Sequence, residues 1–400
     1  MNKEKALRNV RLYAIFWMLK EPLFWGPVLI IFIQMASKMS LSEVYLMESA
    51  CIVTAILLQV PTGALADLIG RKKTMMIGSG LLILMMLMFS CATTKWEMWL
   101  ANIVAFAGYT FLSGADSALL YDSLRFLGRE SEHRNLLGKM SGYRFVLVAV
   151  CALVCGWVSE INIRWPLYLC LPPLAINFLL LFFLTEPPYA GNKKYNSSGH
   201  FSLMKASVLF VANHKKVKWA IGFIVLVSVA GKLWFFSYNP YFQLVGLSLT
   251  KFGYIFCALN LVAAVSSYST QKIHDRLGDV GSIIVILACL FVPILIMGTA
   301  VAPWAAWLVI TQNFVRGYFD PFMTDFLNQY LDSENRATVL SVKSAVSELA
   351  QLIALLAFGG LLAVWSLPVC LQILGMTVLI GGAWLVFTYF RLFKEAKSVS

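Results

Sequence analysis

Residues 280–300 read VGSIIVILACLFVPILIMGTA, twenty-one positions without a charged side chain. A run of roughly 20 apolar residues matches the ~30 Å hydrocarbon thickness of a bilayer at 1.5 Å per helical residue. The chain on either side repeats the pattern. Reading apolar runs between charged or Gly/Pro punctuation predicts twelve helices near 12–36, 43–67, 74–92, 97–122, 142–160, 165–185, 218–242, 251–271, 280–300, 303–330, 338–363 and 368–390. Composition agrees: 60% of the 400 residues are hydrophobic and 13% charged, too few charges to clothe a soluble core. The expectation is an all-α, multi-pass membrane protein.

The formal charge of +12 does not point to nucleic acid, because the bases sit in short loops between apolar runs. With the N-terminus in the cytoplasm, 25 of the 32 Lys and Arg fall in cytoplasmic segments, four in external loops and three inside helices. Those three are Lys20, Lys232 and Arg316. Such a split predicts an even number of crossings with both termini cytoplasmic. The eight cysteines lie in apolar segments without a CxxC pair, so no disulfide framework, metal site or cofactor is called for. The polar start MNKEKALRNVR leads into an apolar run too long for a cleavable signal.

The two halves repeat. Asp67-x-x-Gly70 follows the second helix and Asp275-x-x-Gly278 the eighth; Gly114-ADSALLY-Asp122 ends the fourth and Gly317-YFDPFMT-Asp325 the tenth. The polar, basic segment 186–217 divides six helices from six. The predicted organisation is a bundle over 1–185, a cytoplasmic central loop over 186–217 with one amphipathic patch, and a second bundle over 218–400.

The segment Gly63-Ala-Leu-Ala-Asp67-Leu-Ile-Gly70-Arg71-Lys72-Lys73 resembles the loop 2–3 signature of the major facilitator superfamily. SALLYDSL at the end of helix 4, Glu334-Asn335-Arg336-Ala-Thr-Val-Leu-Ser341 and Glu186-Pro187-Pro188 resemble small bacterial members. The resemblance implies a monomeric twelve-helix carrier in the bacterial inner membrane, working by alternating access. It also implies a cytoplasmic latch of Gly63, Asp67, Gly70, Arg71 and Asp122, echoed by Asp275 and Gly278, in which Asp122 pairs with Arg71. Glycines suit a tight turn between helix ends, and Asp67 suits a neighbouring helix N-terminus. Leu68 stands where an Arg is common, although Arg276 fills the equivalent place in the second half. The mid-helix Arg of helix 4 and the Gly-Pro-rich motif of helix 5 that mark drug:proton antiporters are missing.

Ionisable groups inside hydrocarbon are costly and point to function. Lys20 and Glu21 fall in helix 1, Asp116 in helix 4, Lys232 in helix 7, and Gln312, Arg316 and Asp320 on one stripe of helix 10. In the superfamily these four helices line the central cavity, so the resemblance makes all seven candidates for substrate or proton contact. Helical spacing puts Phe16, Lys20 and Phe24 on one row, and Trp17, Glu21 and Trp25 on the next; Pro22 suits a kink. The alternative for Lys20 and Glu21 is structural pairing with neighbouring helices. Arg316 and Asp320 either neutralise each other or split between a substrate and another base. Lys232 has no acid within its own turn of helix, only Ser228 at helical spacing, which suits an anion. Glu48 and Glu348 lie on other helices, the four histidines (133, 200, 214, 274) map to cytoplasmic segments, and Asn239-Pro240 suits a bend near an external gate.

These features predict a transporter of a small organic solute, with protons as the candidate coupling ion. Export of a drug-like compound or metabolite and uptake of an organic anion are both compatible with it. A lipid-handling protein is the reading from another class, supported by aromatics on helices 1 and 7. The chain carries no GxxxxGK[ST] nucleotide loop and no clustered His/Asp/Cys ligands of an enzyme.

Overall fold

The structure, a computed structural model, describes residues 1–188, 211, 213–331 and 333–393; at 60, 134, 328 and 333–338 the backbone alone is described. Most of the 186–217 loop, its amphipathic patch and His200 therefore lie outside the described residues, as do the side chains of Glu334, Asn335 and Arg336. Among the described residues there are fourteen α-helices and no strand. Ten spans are long and apolar enough to cross a membrane. The predicted spans 12–36 and 303–330 do not meet that criterion, and both carry charged side chains.

The first predicted span is two helices, α1 (Lys3–Leu19) and α2 (Leu29–Ser37). Pro22 lacks an N–H and its ring clashes with the carbonyl four residues back, while the residue before it is pushed out of the α region. Gly26-Pro27 then prevents immediate resumption. The helical rows drawn through Lys20 and Glu21 accordingly stop at Leu19, with Lys20 as the C-cap. The other helices of the first half are α3 (Leu41–Ile69), α4 (Arg71–Cys91), α5 (Lys95–Leu112), α6 (Ala115–Phe126), α7 (His133–Ile161) and α8 (Trp165–Phe183). Capping boxes start α3 (Ser40 with Glu43) and α5 (Thr94 with Glu97). The predicted helix 4 is broken between α5 and α6, where Gly114 takes φ 81°.

The second half comprises α9 (Lys215–Leu244), α10 (Leu249–Tyr268), α11 (Thr270–Thr299), a 3₁₀ turn at Pro303–Val309, α12 (Ile310–Asn328), α13 (Ser333–Val364) and α14 (Leu367–Phe393). α9 runs through Pro240 to Leu244. Contacts group the chain into unit 1, Met1–Tyr195 with Ser248–Asn260, and unit 2, Asn196–Leu247 with Leu261–Ser400.

Unit 1 is drawn together at one end by Asn9 of α1. Its amide donates to the Thr185 carbonyl (2.8 Å) and Ser123 Oγ (3.1 Å) and accepts from the Thr185 N–H (2.9 Å), joining α1 to the ends of α6 and α8. The start of α10 belongs to this unit: Glu160 of α7 accepts from the Thr250 N–H at 3.1 Å, a carboxylate at a helix N-terminus. In unit 2, Trp219 of α9 donates to the Leu385 carbonyl of α14 at 2.8 Å and stacks on Phe223.

The sequence repeat is also a backbone repeat. Gly70 (φ 94°, ψ 157°) and Gly278 (φ 61°, ψ −175°) both occupy a region that essentially only glycine tolerates. Gly70 separates α3 from α4; Gly278 interrupts α11. The second pair of glycines serves two different needs. Gly114 requires its positive φ, whereas Gly317 is helical and pressed against α10, so that a Cβ there would be driven into the Ala263 carbonyl oxygen. Gly317→Ala should therefore force α10 and α12 apart and cost about 1–3 kcal/mol, read as a lower thermal unfolding temperature in detergent. An unchanged temperature would contradict this packing.

Candidate functional site

The break after α1 places Lys20 and Glu21 where no helix of their own shields them, and each is met by a partner within unit 1. Lys20 Nζ lies 2.9 Å from Asp116 Oδ2 of α6 and 3.7 Å from the centroid of the Trp17 ring. Both charged groups are largely buried, with side chains 14% and 6% exposed. Asp116 Oδ1 accepts from the Ser117 N–H at 2.6 Å, and the Ser117 hydroxyl lies 3.3 Å from His133 Nε2 at the start of α7. Glu21 Oε2 lies 2.5 Å from Arg144 of α7. Structural pairing with neighbouring helices, the alternative raised above, is thus the observed geometry for both.

Sequence reading overlooks Arg144. The predicted span 142–160 contains it, yet the charge count places it with the cytoplasmic segment before that helix; α7 begins at His133 and carries Arg144 well inside the helix. A base at the head of the apolar run FVLVAV, with an acid on another helix still to be matched, is the signal that finds it.

Unit 2 arranges its charges around open space. A cavity of ≈ 350 Å³ is lined by Lys232, Ser228, Gly231 and Phe235 of α9, Gln312, Arg316, Phe319 and Asp320 of α12, and Gln351 of α13. Lys232 Nζ sits 4.7 Å from the centroid of the Phe236 ring. Gln312 is held in place: its Nε2 donates to the Gly231 carbonyl at 3.3 Å, and its Oε1 accepts from the Tyr238 hydroxyl. Asp320 feels the charges of Arg316 and of Lys343 on α13. Lys343 is a second base that the charge count places with the cytoplasmic segments although the predicted span 338–363 contains it; α13, beginning at Ser333, carries it inside the helix.

Glu48 of α3 lies elsewhere, accepting from Asn102 Nδ2 of α5 at 3.1 Å. Glu348 lies on α13 outside the cavity lining.

The α3–α4 turn makes the expected Arg71–Asp122 pair but is capped by a different carboxylate from the one expected. Arg71 Nη1 lies 2.9 Å from Asp122 Oδ2 of α6. The carboxylate on the N-terminus of α4 is Glu186, not Asp67: its oxygens accept from the N–H groups of Arg71 (2.7 Å) and Lys72 (2.8 Å). In return Lys72 Nζ donates to the Phe182 and Leu184 carbonyls at the end of α8, each at 2.8 Å. Each helix end is thus capped by a residue from the other, which satisfies both dipoles. Gly70 is needed twice over, because a Cβ would meet the Glu186 carboxyl carbon at 3.0 Å. Asp67 lies in the last turn of α3, and Gly63 lies inside that helix and not in the turn.

The equivalent turn in unit 2 lacks the base: the residue after Gly278 is Asp279, where Arg71 follows Gly70. His274 Nε2 approaches Asp279 Oδ1 at 3.7 Å, and Asp275 accepts from Gln271 at 2.8 Å. Asp325, the counterpart of Asp122, lines a small recess with His274 and Asp279. Among the described residues no cluster of His, Cys, Asp and Glu is arranged to hold a metal ion.

The sequence profile of the family described as Major Facilitator Superfamily matches residues 22–341. A protein of Bacillus subtilis (strain 168) described as "Uncharacterized MFS-type transporter YxaM" is 21% identical over 364 residues, covering 84% of this chain and 85% of that one. Among solved structures, a mutant of the nucleoside transporter NupG aligns over 97% of this chain and 100% of its own with a TM-score of 0.77 at 14% identity. A D-xylose-proton symporter aligns over 98% of each chain with a TM-score of 0.71 at 12% identity. At these identities the two structures establish a shared fold.

The Lys20–Asp116 pair makes a testable energetic statement. Removing one member of a buried pair strands the other and costs about 3–5 kcal/mol, whereas replacing both with apolar groups of similar volume is nearly neutral. Lys20→Met and Asp116→Leu should each lower the unfolding temperature, and the double variant should recover most of the loss. Additive losses would contradict the pairing.

Proposed function

The chain belongs to the Major Facilitator Superfamily, and from that premise we propose that it is a secondary transporter moving a small organic solute by alternating access. The observation that carries this reading is the ≈ 350 Å³ cavity of unit 2, lined by Lys232, Arg316 and Asp320 on helices taken to span the membrane. Charged side chains in hydrocarbon each cost about 2.5–3.5 kcal/mol on insertion scales, so three of them around one cavity have a use there. A volume near the lower end of ligand pockets suits a metabolite-sized solute. The solved proteins sharing the fold are named for nucleoside and D-xylose transport, which are small solutes of this scale.

In this reading the chain is a monomer in the bacterial inner membrane, with twelve crossings, both termini cytoplasmic and two six-helix bundles joined by the 186–217 loop. The α3–α4 turn is the cytoplasmic latch. Arg71 and Asp122, with Asp67, Gly70 and the equivalent Asp275 and Gly278, make and release contacts as the carrier alternates. Net movement is outward, as the resemblance of the loops to those of small bacterial exporters suggests, and the coupling ion is the proton. Exchangeable carboxylates are available in Glu21, Asp116 and Asp320.

The test is solute counterflow into proteoliposomes holding the purified chain, using compounds that first raise its unfolding temperature. A true ligand at about 100 times its dissociation constant contributes about 2.7 kcal/mol, enough to detect. Flux is expected without nucleotide. Arg71→Ala and Asp122→Asn should lower it roughly tenfold, as expected when a gating element is lost, while leaving ligand stabilisation in place. Flux that depends on ATP, or no flux of any stabilising compound, would overturn the proposal.

A further inference from the structure

We propose that unit 2 carries a binding site for an anionic phospholipid: one acyl chain lies in an apolar groove between α13 and α14, and the headgroup phosphate meets Lys215, Lys218 and Arg391 at the end of that groove. The groove shares no lining residue with the cavity around Asp320. The site rests on the membrane fold and not on the transport reading.

α13 and α14 both pack on α9 but touch each other little, so a groove opens between them with α9 as its floor. Its volume is ≈ 490 Å³, and every side chain that lines it is apolar. Gly222 on α9, Ala350 and Ala354 on α13 and Gly381 on α14 leave the room. Ile353 and Trp384 line it and stay more than half exposed, so the groove opens outward, toward lipid. Along α9 it runs from Gly222 to Val229, about 11 Å at 1.5 Å per residue. Two helical turns suit a segment of one extended acyl chain. They are short against the ~30 Å over which a whole transmembrane helix would pack.

The bases continue the same rows. On α9, Lys215, Lys218, Gly222, Val225 and Val229 recur at intervals of three and four, which puts them on one face. On α14 the row is Gly381, Trp384, Thr388 and Arg391. The start of α9 and the end of α14 lie together: Trp219 bonds the Leu385 carbonyl at 2.8 Å, and Lys216 Nζ lies 5.3 Å from the Phe393 ring centroid. Lys215, Lys218 and Arg391 are exposed, and among the described residues none of them forms an ion pair. Other charges of unit 2 are turned elsewhere. Lys216 packs on Tyr330 and Phe393, and the charge of Lys343 falls on Asp320. Asp279 meets Tyr389, roughly 160° around α14 from Arg391. α9 also begins without a side-chain cap, so its first N–H groups favour an anion. An apolar groove ending in such bases matches a phospholipid anion, with a chain in the hydrocarbon and a phosphate at the interface. A second copy of the chain fits less well. A two-fold axis along the membrane normal would bring its Lys215, Lys218 and Arg391 toward the same three bases.

The experiment measures thermal unfolding of the purified full-length chain in detergent against three probes. Dioleoyl phosphatidylglycerol is the anionic lipid, dioleoyl phosphatidylcholine carries the same chains on a zwitterionic headgroup, and sn-glycerol 3-phosphate has no chains. Phosphatidylglycerol should stabilise the protein at a concentration at least ~10-fold lower than phosphatidylcholine, the scale of one or two phosphate–base contacts. Glycerol phosphate should have no effect at the same concentrations. Lys218→Gln combined with Arg391→Gln should remove the preference for the anionic lipid. Lys5→Gln combined with Lys139→Gln, two exposed bases of unit 1, should keep it, which separates the site from general attraction between a basic protein and an anionic lipid. Ala354→Leu fills the groove, leaves the bases in place and should lose most of the stabilisation. Equal stabilisation by the two lipids, none by phosphatidylglycerol, or an effect of glycerol phosphate alone would each overturn the proposal. So would a preference that survives the Lys218 and Arg391 changes, full stabilisation of Ala354→Leu, or a dimer in detergent that Ala354→Leu takes apart.

Discussion

A charge in hydrocarbon has to be neutralised by the protein around it, and in unit 1 that requirement shapes the chain. Lys20 and Glu21 stand at the point where Pro22 ends α1, so neither is screened by a continuous helix. Each is met from another element, Lys20 by Asp116 on α6 and Glu21 by Arg144 on α7. The two pairs tie the break to two different helices. Asn9 repeats the arrangement with neutral groups, joining α1 to the ends of α6 and α8. Polar contacts of this kind give direction to a packing that apolar side chains alone leave unspecified in lipid.

The two halves use one plan for different ends. Both contain a glycine in the same rare backbone region, at 70 and 278, and an acid at the end of the fourth helix of the half, Asp122 and Asp325. In unit 1 the turn is closed by a permanent base, Arg71, and by the reciprocal caps of Glu186 and Lys72. In unit 2 an acid, Asp279, replaces the arginine, with His274 beside it. The interior differs as well: unit 1 holds Lys20 against Asp116 in a largely buried contact, and in unit 2 Lys232, Arg316 and Asp320 line a cavity.

Much of the fold is legible in the sequence because membrane insertion is a local, additive property of apolar runs. The glycine of D-x-x-G is legible for a similar reason, since its backbone conformation is a property of one residue. Helix ends are harder. The predicted spans 142–160 and 338–363 begin with the apolar zone, and Arg144 and Lys343 near those starts count with the loops; hydrogen bonding begins α7 at His133 and α13 at Ser333, which puts both bases well inside helices. Contacts between distant segments are hardly legible: the Arg71–Asp122 pair follows from the family resemblance, but nothing near Gly70 signals that Glu186 caps α4. Gly114 and Gly317 match in sequence but answer to different causes, a positive φ and a close helix crossing, which only the packed structure separates. The cavity residues Lys232, Gln312, Arg316 and Asp320 are legible as polar groups on apolar helices. That Lys20, Glu21 and Asp116 form closed pairs is, from sequence, one of two open alternatives.

The most direct test of this account exchanges the charges of the second pair in unit 1, Glu21→Arg together with Arg144→Glu, and measures the unfolding temperature in detergent beside each single variant. Each single variant leaves two like charges facing each other and should unfold at a lower temperature, and the exchange should recover most of the loss. An exchanged protein no more stable than the single variants would contradict the claim that pairing from another helix holds the break after α1.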